Sequence, residues 1–231
     1  MGRRILAPLN TLWERHERLY TEVFVCALLR LARSTCDVSH ENIISEALCP
    51  ILAEVCFEEW VATGREVRTP DWEKPIQPVS ASELRGGKAG KRPDFTCKLI
   101  NPQASSAEEY ELQLHIECKR LGKPVSSKWI FNENYVVEGI LRFDSNEHEY
   151  GKCAMSGIMV GYIVSMTANE ILSDIEYYHQ KHLSKPANII YQSNINKVSQ
   201  YRQRMKRQHI KPVIFDIVHL WVDLNRQSSL K

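Results

Sequence analysis

Between Glu109 and Arg120 the chain alternates without a break. Leu112, Leu114, Ile116 and Cys118 fall on one side, and Glu111, Gln113, His115, Glu117 and Lys119 on the other. Side chains of an extended strand point alternately to opposite faces, so this order predicts one apolar and one ionisable face. The chain must therefore build a sheet with a core on one side of this strand. On the other side it must accommodate Glu117 and Lys119, because charges leave water at low cost only when paired or metal-bound. A solvated face carrying the two as a surface ion pair is the plain alternative.

The remaining segments supply partners for that strand. Asn10 to Ala32 predicts a helix, with Thr11 and Glu14 as a capping box. A second helix opens near Ser39 as N-cap, carries Glu41 in its first turn and spaces Ile44, Leu48, Ile51 and Val55 helically. Pro50 is expected to kink or break it. Gly64 to Gly90, with Pro70, Pro75, Pro78 and the run Gly86 to Gly90, predicts a long loop. A strand from Pro93 to Ile100 and a turn from Asn101 to Ala107 lead into the alternating segment. Beyond it come a helix from Asn134 to Phe143 and an apolar strand from Ser156 to Ser165. A helix follows, opened by a Thr167/Glu170 capping box and ended by Pro186. A short strand at Ala187 to Gln192, a basic helix at Lys197 to Lys211 and a strong strand within Pro212 to Leu224 complete the order. Strands mixed with helices in this way imply an α/β sandwich around a mixed sheet, with an N-terminal helical segment. At 231 residues the expectation is one domain: a helix in 1–36, a core in 39–165 and a helix–strand part in 166–231.

Composition excludes more than it selects. Hydrophobic residues make up 43% and charged residues 25%, as in ordinary globular chains. A net charge of +2 is too mild to announce a nucleic-acid partner, although a local patch can still attract one. Seven cysteines without a C-x-x-C pair predict buried free thiols in a reducing compartment rather than a disulfide or zinc framework. No run is apolar enough to cross a membrane, and MGRRILAPLN lacks a signal-peptide core, so a cytoplasmic location is expected. P-loop, G-x-G-x-x-G and G-x-S-x-G motifs are all missing.

The chemistry concentrates around Pro93-Asp94 and Glu117-Cys118-Lys119. If the two strands form a hairpin about the 101–107 turn, Asp94 approaches Glu117. Converging carboxylates repel, and a divalent cation removes the repulsion. Oxygen ligands select a hard ion, Mg²⁺ or Mn²⁺. Such an ion polarises a phosphate and acidifies a bound water. Lys119 can orient that water or neutralise charge in the transition state. His115 shares the face and is a secondary candidate for ligand or base, although a lone strand histidine is more often packed or solvated.

These residues resemble the PD-(D/E)xK signature of the restriction-endonuclease-like nucleases. The resemblance implies a mixed sheet of about four strands flanked by helices. It implies Asp94 and Glu117 as metal ligands, the Cys118 carbonyl facing the metal, and Lys119 as the catalytic lysine. Many members add an acid from an upstream helix. Among Glu41, Glu46, Glu54 and Glu58, Glu46 lies opposite the apolar stripe at about 100° per residue; Glu41, Glu54 and Glu58 all border it, but Pro50 upsets the phase beyond it, so Glu41 is chosen. A second stretch runs through Asn134-Tyr135, Gly139-Ile140, Arg142-Phe143, Tyr150 and GIMVGY at Gly157 to Tyr162. It resembles a segment of nucleases associated with bacterial defence against phage, with Arg142 a candidate for a phosphate and Tyr135 for orienting nucleic acid. Lys88, Lys91 and Arg92 flank Asp94 and are further candidate phosphate contacts. The basic 197–211 stretch could track a phosphate backbone or simply be solvated.

The resulting expectation is a Mg²⁺-dependent endodeoxyribonuclease, with Mn²⁺ as a substitute ion, acting on DNA as the effector of a defence or restriction system. It would work as a homo-oligomer or beside an ATPase or helicase partner. The competing expectation is a non-catalytic nucleic-acid-binding or scaffold subunit. An RNA substrate is a third, for which the sequence offers no stacking platform.

Overall fold

A computed structural model describes residues 8–76 and 91–225. In chain order these form α1 (Leu9–Leu31), α2 (Glu41–Thr63), β1 (Asp71–Trp72), β2 (Phe95–Ile100), a one-turn α3 (Ala107–Tyr110) and β3 (Glu111–Leu121). Then follow α4 (Phe131–Val137), a 3-10 turn (Ile140–Asp144), β4 (Ser156–Ile163), α5 (Ala168–Leu183), β5 (Ile190–Ile195), β6 (Val198–Lys206) and β7 (Ile214–Asp223). The strands make one seven-stranded sheet in the order β1-β2-β3-β4-β7-β6-β5. β3, β4 and β7 run parallel, and every other pairing is antiparallel. The sheet is thus mixed and larger than the four strands the resemblance implies.

Central β4 explains the layering. All of Ser156–Ile163 is buried, as expected of a parallel strand covered on both faces. Ile158, Val160 and Tyr162 join α1 and α2 through Phe24, Leu28, Leu48 and Leu52. Met159 and Ile163 join α4 and α5 through Val136, Ile171 and Ile175. β7 repeats the pattern, with Val218, Leu220 and Val222 on the first side and Ile217 and Trp221 on the second. Gly157 lets the 3-10 turn approach closely, because a Cβ there would overlap the Phe143 ring.

Several boundaries differ from the expectations, each for a local reason. α1 starts before Thr11: Pro8 is its N-cap residue and its carbonyl accepts the Leu12 N–H at 3.1 Å, so no Thr11 capping box forms. His40 rather than Ser39 occupies the N-cap position of α2, without a side-chain cap, and Ser39 bonds Asp37 through both its N–H and its hydroxyl. Pro50 does not interrupt α2. It lies on the exposed side, where a carbonyl deprived of its donor meets water. The helix expected over Asn134 to Phe143 divides at Gly139 into α4 and the 3-10 turn. The largest correction is Lys197 to Lys211, which holds no helix: Val198–Lys206 is strand β6 and 207–211 is irregular. β6 is hydrogen-bonded to β5 on one edge and β7 on the other, and this pairing overrides local helical preference. The Thr167/Glu170 capping box does form. All seven cysteines are free, and Cys56, Cys97 and Cys118 are buried. No helix among the described residues is long and apolar enough to cross a membrane.

Candidate functional site

The β2–β3 pairing brings the predicted acids together. Phe95 sits opposite Ile116, so Asp94 lies beside Glu117 just beyond the pair. The Asp94 carboxylate accepts the Cys118 N–H, which ties the start of β2 to the far half of β3. Glu117 and Lys119 are not a solvated pair: they are 1% and 8% exposed. Lys119 Nζ donates to Glu117 Oε1 at 2.8 Å, to the Cys118 carbonyl at 2.8 Å and to Glu41 Oε1 at 3.0 Å. Glu41, in the first turn of α2, also accepts the Arg120 N–H through Oε2 at 3.0 Å. Glu117 Oε1 takes a second cation, Arg142 Nη1, from the 3-10 turn.

This hydrogen-bond network is incomplete. Glu117 Oε2 and Arg142 Nε are buried without partners. Buried polar atoms are nearly always bonded, so each unpaired one asks for an explanation. The electrostatics agree. Burial first, and the Glu117 charge second, push the Asp94 carboxyl up to about 8. Burial also raises Glu117, with Lys119 and Arg142 pulling the other way. Burial alone would lower Lys119, but Glu117, Glu41 and Asp94 outweigh it and hold the ammonium protonated well above the usual lysine range. With Asp94 protonated, two carboxylates, Glu41 and Glu117, face two cations, Lys119 and Arg142. Ionising Asp94 leaves one buried negative charge in excess.

Among the described residues no three Asp, Glu, His or Cys side chains converge closely enough to hold a metal ion as they stand. The oxygens that could do so are those of Asp94 and Glu117 and the Cys118 carbonyl, with Glu41 beyond them. All are hard donors suited to Mg²⁺ or Mn²⁺. Glu117 Oε2 has a coordination position to spare, whereas the Cys118, Glu117 and Glu41 oxygens meet on the Lys119 ammonium. The donor chemistry fits a divalent cation, and Lys119 now sits at the point where those oxygens gather.

The other predicted residues divide. Arg142 is at the site, but its Nη1 bonds Glu117 and its Nη2 bonds Glu138 at 3.3 Å, so it is already an ion-pair partner. Tyr135, expected to orient nucleic acid, is fully buried instead. Its hydroxyl joins His219 Nδ1 at 2.7 Å and accepts Trp221 Nε1–H at 2.9 Å. Lys91 pairs with Glu147, Arg92 is exposed, and Lys88 lies outside the described residues. His115 is buried and pushed down to about 3, so it is neutral. Its Nδ1 accepts the Gly151 N–H at 3.0 Å and its Nε2 meets Gln113 at 2.9 Å, which marks a structural histidine. In the basic stretch, Arg202 bonds Glu17 and Asp216, and Arg204 bonds Asp216.

A cleft of about 790 Å³ opens beside Lys119 and Arg142. Glu41, Arg120, Trp129 and Glu138 are also in its wall. The sequence reading missed Arg120, Lys128 and Trp129 as site residues. The signal for Trp129 was available: a tryptophan in an otherwise polar segment, Ser126 to Lys128, between a strand and a helix. Compared with family models, with curated proteins and with solved structures, the chain matches none.

Proposed function

We propose that the protein is a metal-dependent nuclease of the PD-(D/E)xK type that hydrolyses DNA phosphodiesters. The observation that carries this reading is Asp94, just ahead of β2, beside Glu117 on the adjoining β3, with Lys119 between Glu117 and Glu41 and a buried Glu117 oxygen left without a partner. Asp94, Glu117 and the Cys118 carbonyl are the residues that would hold Mg²⁺. When bound, the ion supplies phosphate polarisation and a more acidic water.

The chain's own groups do the rest. Lys119 is held protonated, so it serves as a fixed positive charge for the developing phosphorane oxygens rather than as a base. Asp94 fixes the β3 backbone through the Cys118 N–H. Arg142 neutralises Glu117 and lines the same cleft, where a phosphate would approach. DNA is the proposed substrate, with a second copy or an ATPase-type partner as the proposed assembly.

A second reading is a non-catalytic nucleic-acid-binding subunit. It is favoured by the absence of a ready three-residue metal cage among the described residues and by the two cations already on Glu117. Cleavage of supercoiled and linear DNA with Mg²⁺, with Mn²⁺ and with EDTA separates the two. Metal-dependent cutting that Asp94→Ala loses is expected. DNA binding without cutting under either metal would overturn the nuclease.

A further inference from the structure

We propose that the cleft beside Lys119 receives an unpaired stretch of nucleic acid, with one base stacked on the Trp129 indole. The choice of nucleic acid rests on the nuclease reading above; the preference for an unpaired strand rests on Trp129 itself. Trp129 is 53% exposed and lines the cleft. Among the described residues no ring packs on it and no side-chain hydrogen bond holds it. Its backbone is nonetheless tied in a tight turn: its N–H bonds the Ser126 carbonyl at 3.2 Å, and its carbonyl accepts the Val125 N–H at 3.0 Å. The indole is therefore anchored at its base and open on its ring.

Its neighbour Phe131 shows the contrast. Phe131 is 6% exposed, and the Arg120 guanidinium covers its ring at 4.5 Å from the centroid. One aromatic of this wall is thus closed by the protein, and the other is left uncovered. Ile43, 38% exposed in the first turn of α2, adds a second open apolar side chain to the same cleft. Lys119, Arg120, Lys128 and Arg142 line it against Glu41 and Glu138, and Glu117 lies bonded to Lys119 and Arg142, so four cations meet three carboxylates. An open aromatic face within a net positive groove is the arrangement that holds single strands: cations follow the phosphates, and the ring takes a base. In a duplex both faces of every internal base are covered by neighbours, so a blunt duplex offers such a platform only the outer faces of its two end pairs, whereas an unpaired strand offers every base. The volume, about 790 Å³, lies within the range of roughly 300–1,000 Å³ typical of ligand sites.

The test is binding without cleavage, by fluorescence anisotropy in EDTA. The probes are a short labelled DNA strand, the RNA strand of the same sequence and the blunt DNA duplex. Single strands should bind about tenfold more tightly than the duplex, and Trp129→Ala should erase about tenfold of that affinity, as expected for one base–aromatic stack. Trp129→Phe should recover most of it, and the melting temperature should not change. The difference in tryptophan emission between the wild type and Trp129→Phe should be quenched by single strands only. The two single-stranded arms say whether DNA or RNA is preferred. Equal affinity for duplex, no measurable binding, or an unaltered Trp129→Ala variant overturns the platform. The nuclease reading is judged separately by metal-dependent cutting. Cutting without single-strand preference removes the platform alone, whereas Trp129-dependent binding without cutting removes the nuclease alone.

Discussion

Arg207 reaches the 3-10 turn that carries Arg142, and the surroundings of the two arginines could hardly differ more. Arg207 is 2% exposed and, among the described residues, no carboxylate is bonded to it; it donates to the carbonyls of Pro212, Phe143, Tyr150 and Gly151 at 2.9–3.2 Å. Its guanidinium lies 4.0 Å from the Phe215 ring centroid. Burial pulls its pKa down to about 10, and its hydrogen bonds are made without any outside group. Arg142 is bonded to two carboxylates, yet its Nε is buried and unpartnered, as is the Glu117 Oε2 beside it. Arg207 joins loops; Arg142 belongs to a group whose polar atoms outnumber its internal partners. A network complete in itself is what a scaffold needs. A network with buried valences left over is what a binding site needs, because a ligand can supply what is missing.

This contrast can be broken experimentally. The largest expected effect is on cleavage: Lys119→Ala should lower the rate by roughly a hundredfold or more, the scale seen when a charge-stabilising donor is removed. Circular dichroism would verify that the variant is folded, and an unchanged rate would end the catalytic assignment. Arg207→Met should act the other way. It strips the donor from four main-chain carbonyls and should cost about 3 kcal/mol in urea unfolding. Cleavage per folded molecule should stay within experimental scatter. If it fell in proportion to the Lys119 variant, the two clusters would not be functionally distinct.

Gly157→Ala sharpens the comparison, because Phe143 and Arg142 share the 3-10 turn that Gly157 admits to the sheet. Overpacking there should cost about 1–3 kcal/mol and displace Arg142 from Glu117. A crystal structure of the variant would show the displacement.

The pH dependence gives a smaller effect with a definite sign. A carboxyl raised to about 8 prefers its proton in the folded state. In metal-free protein its contribution is full below the ordinary carboxylate range and is lost as pH rises through about 8. Asp94→Asn should therefore raise the melting temperature in EDTA, more at alkaline than at acidic pH. An equal gain at both would show that Asp94 does not titrate in this window. The smallest effect should come from Thr167→Ala, at the α5 capping box away from both clusters: about 1 kcal/mol of stability and no change in cleavage.

The amino-acid order by itself determined that 111–120 lies in a strand with unlike faces, although Glu109 and Tyr110 end the one-turn α3 instead, that Asp94 precedes its hairpin partner, and that Thr167 opens a helix. Each follows from short-range rules: period-two alternation, turn residues between strands, a hydroxyl three residues before a glutamate. Helical phase set Glu46 aside, but only the break in phase expected at Pro50 separated Glu41 from Glu54 and Glu58. Local rules failed where long-range pairing decides. Lys197 to Lys211 had the composition of an exposed helix, and two hydrogen-bonded neighbours made 198–206 a strand. Alternation named the ionisable face of β3 but not what covers it. Only the tertiary structure buried Glu117, set Lys119 between two carboxylates, turned Tyr135 into the core and left Trp129 open. Burial and charge balance depend on residues far apart in the chain, such as Glu41, Lys119 and Arg142, and no sequence period encodes their distance.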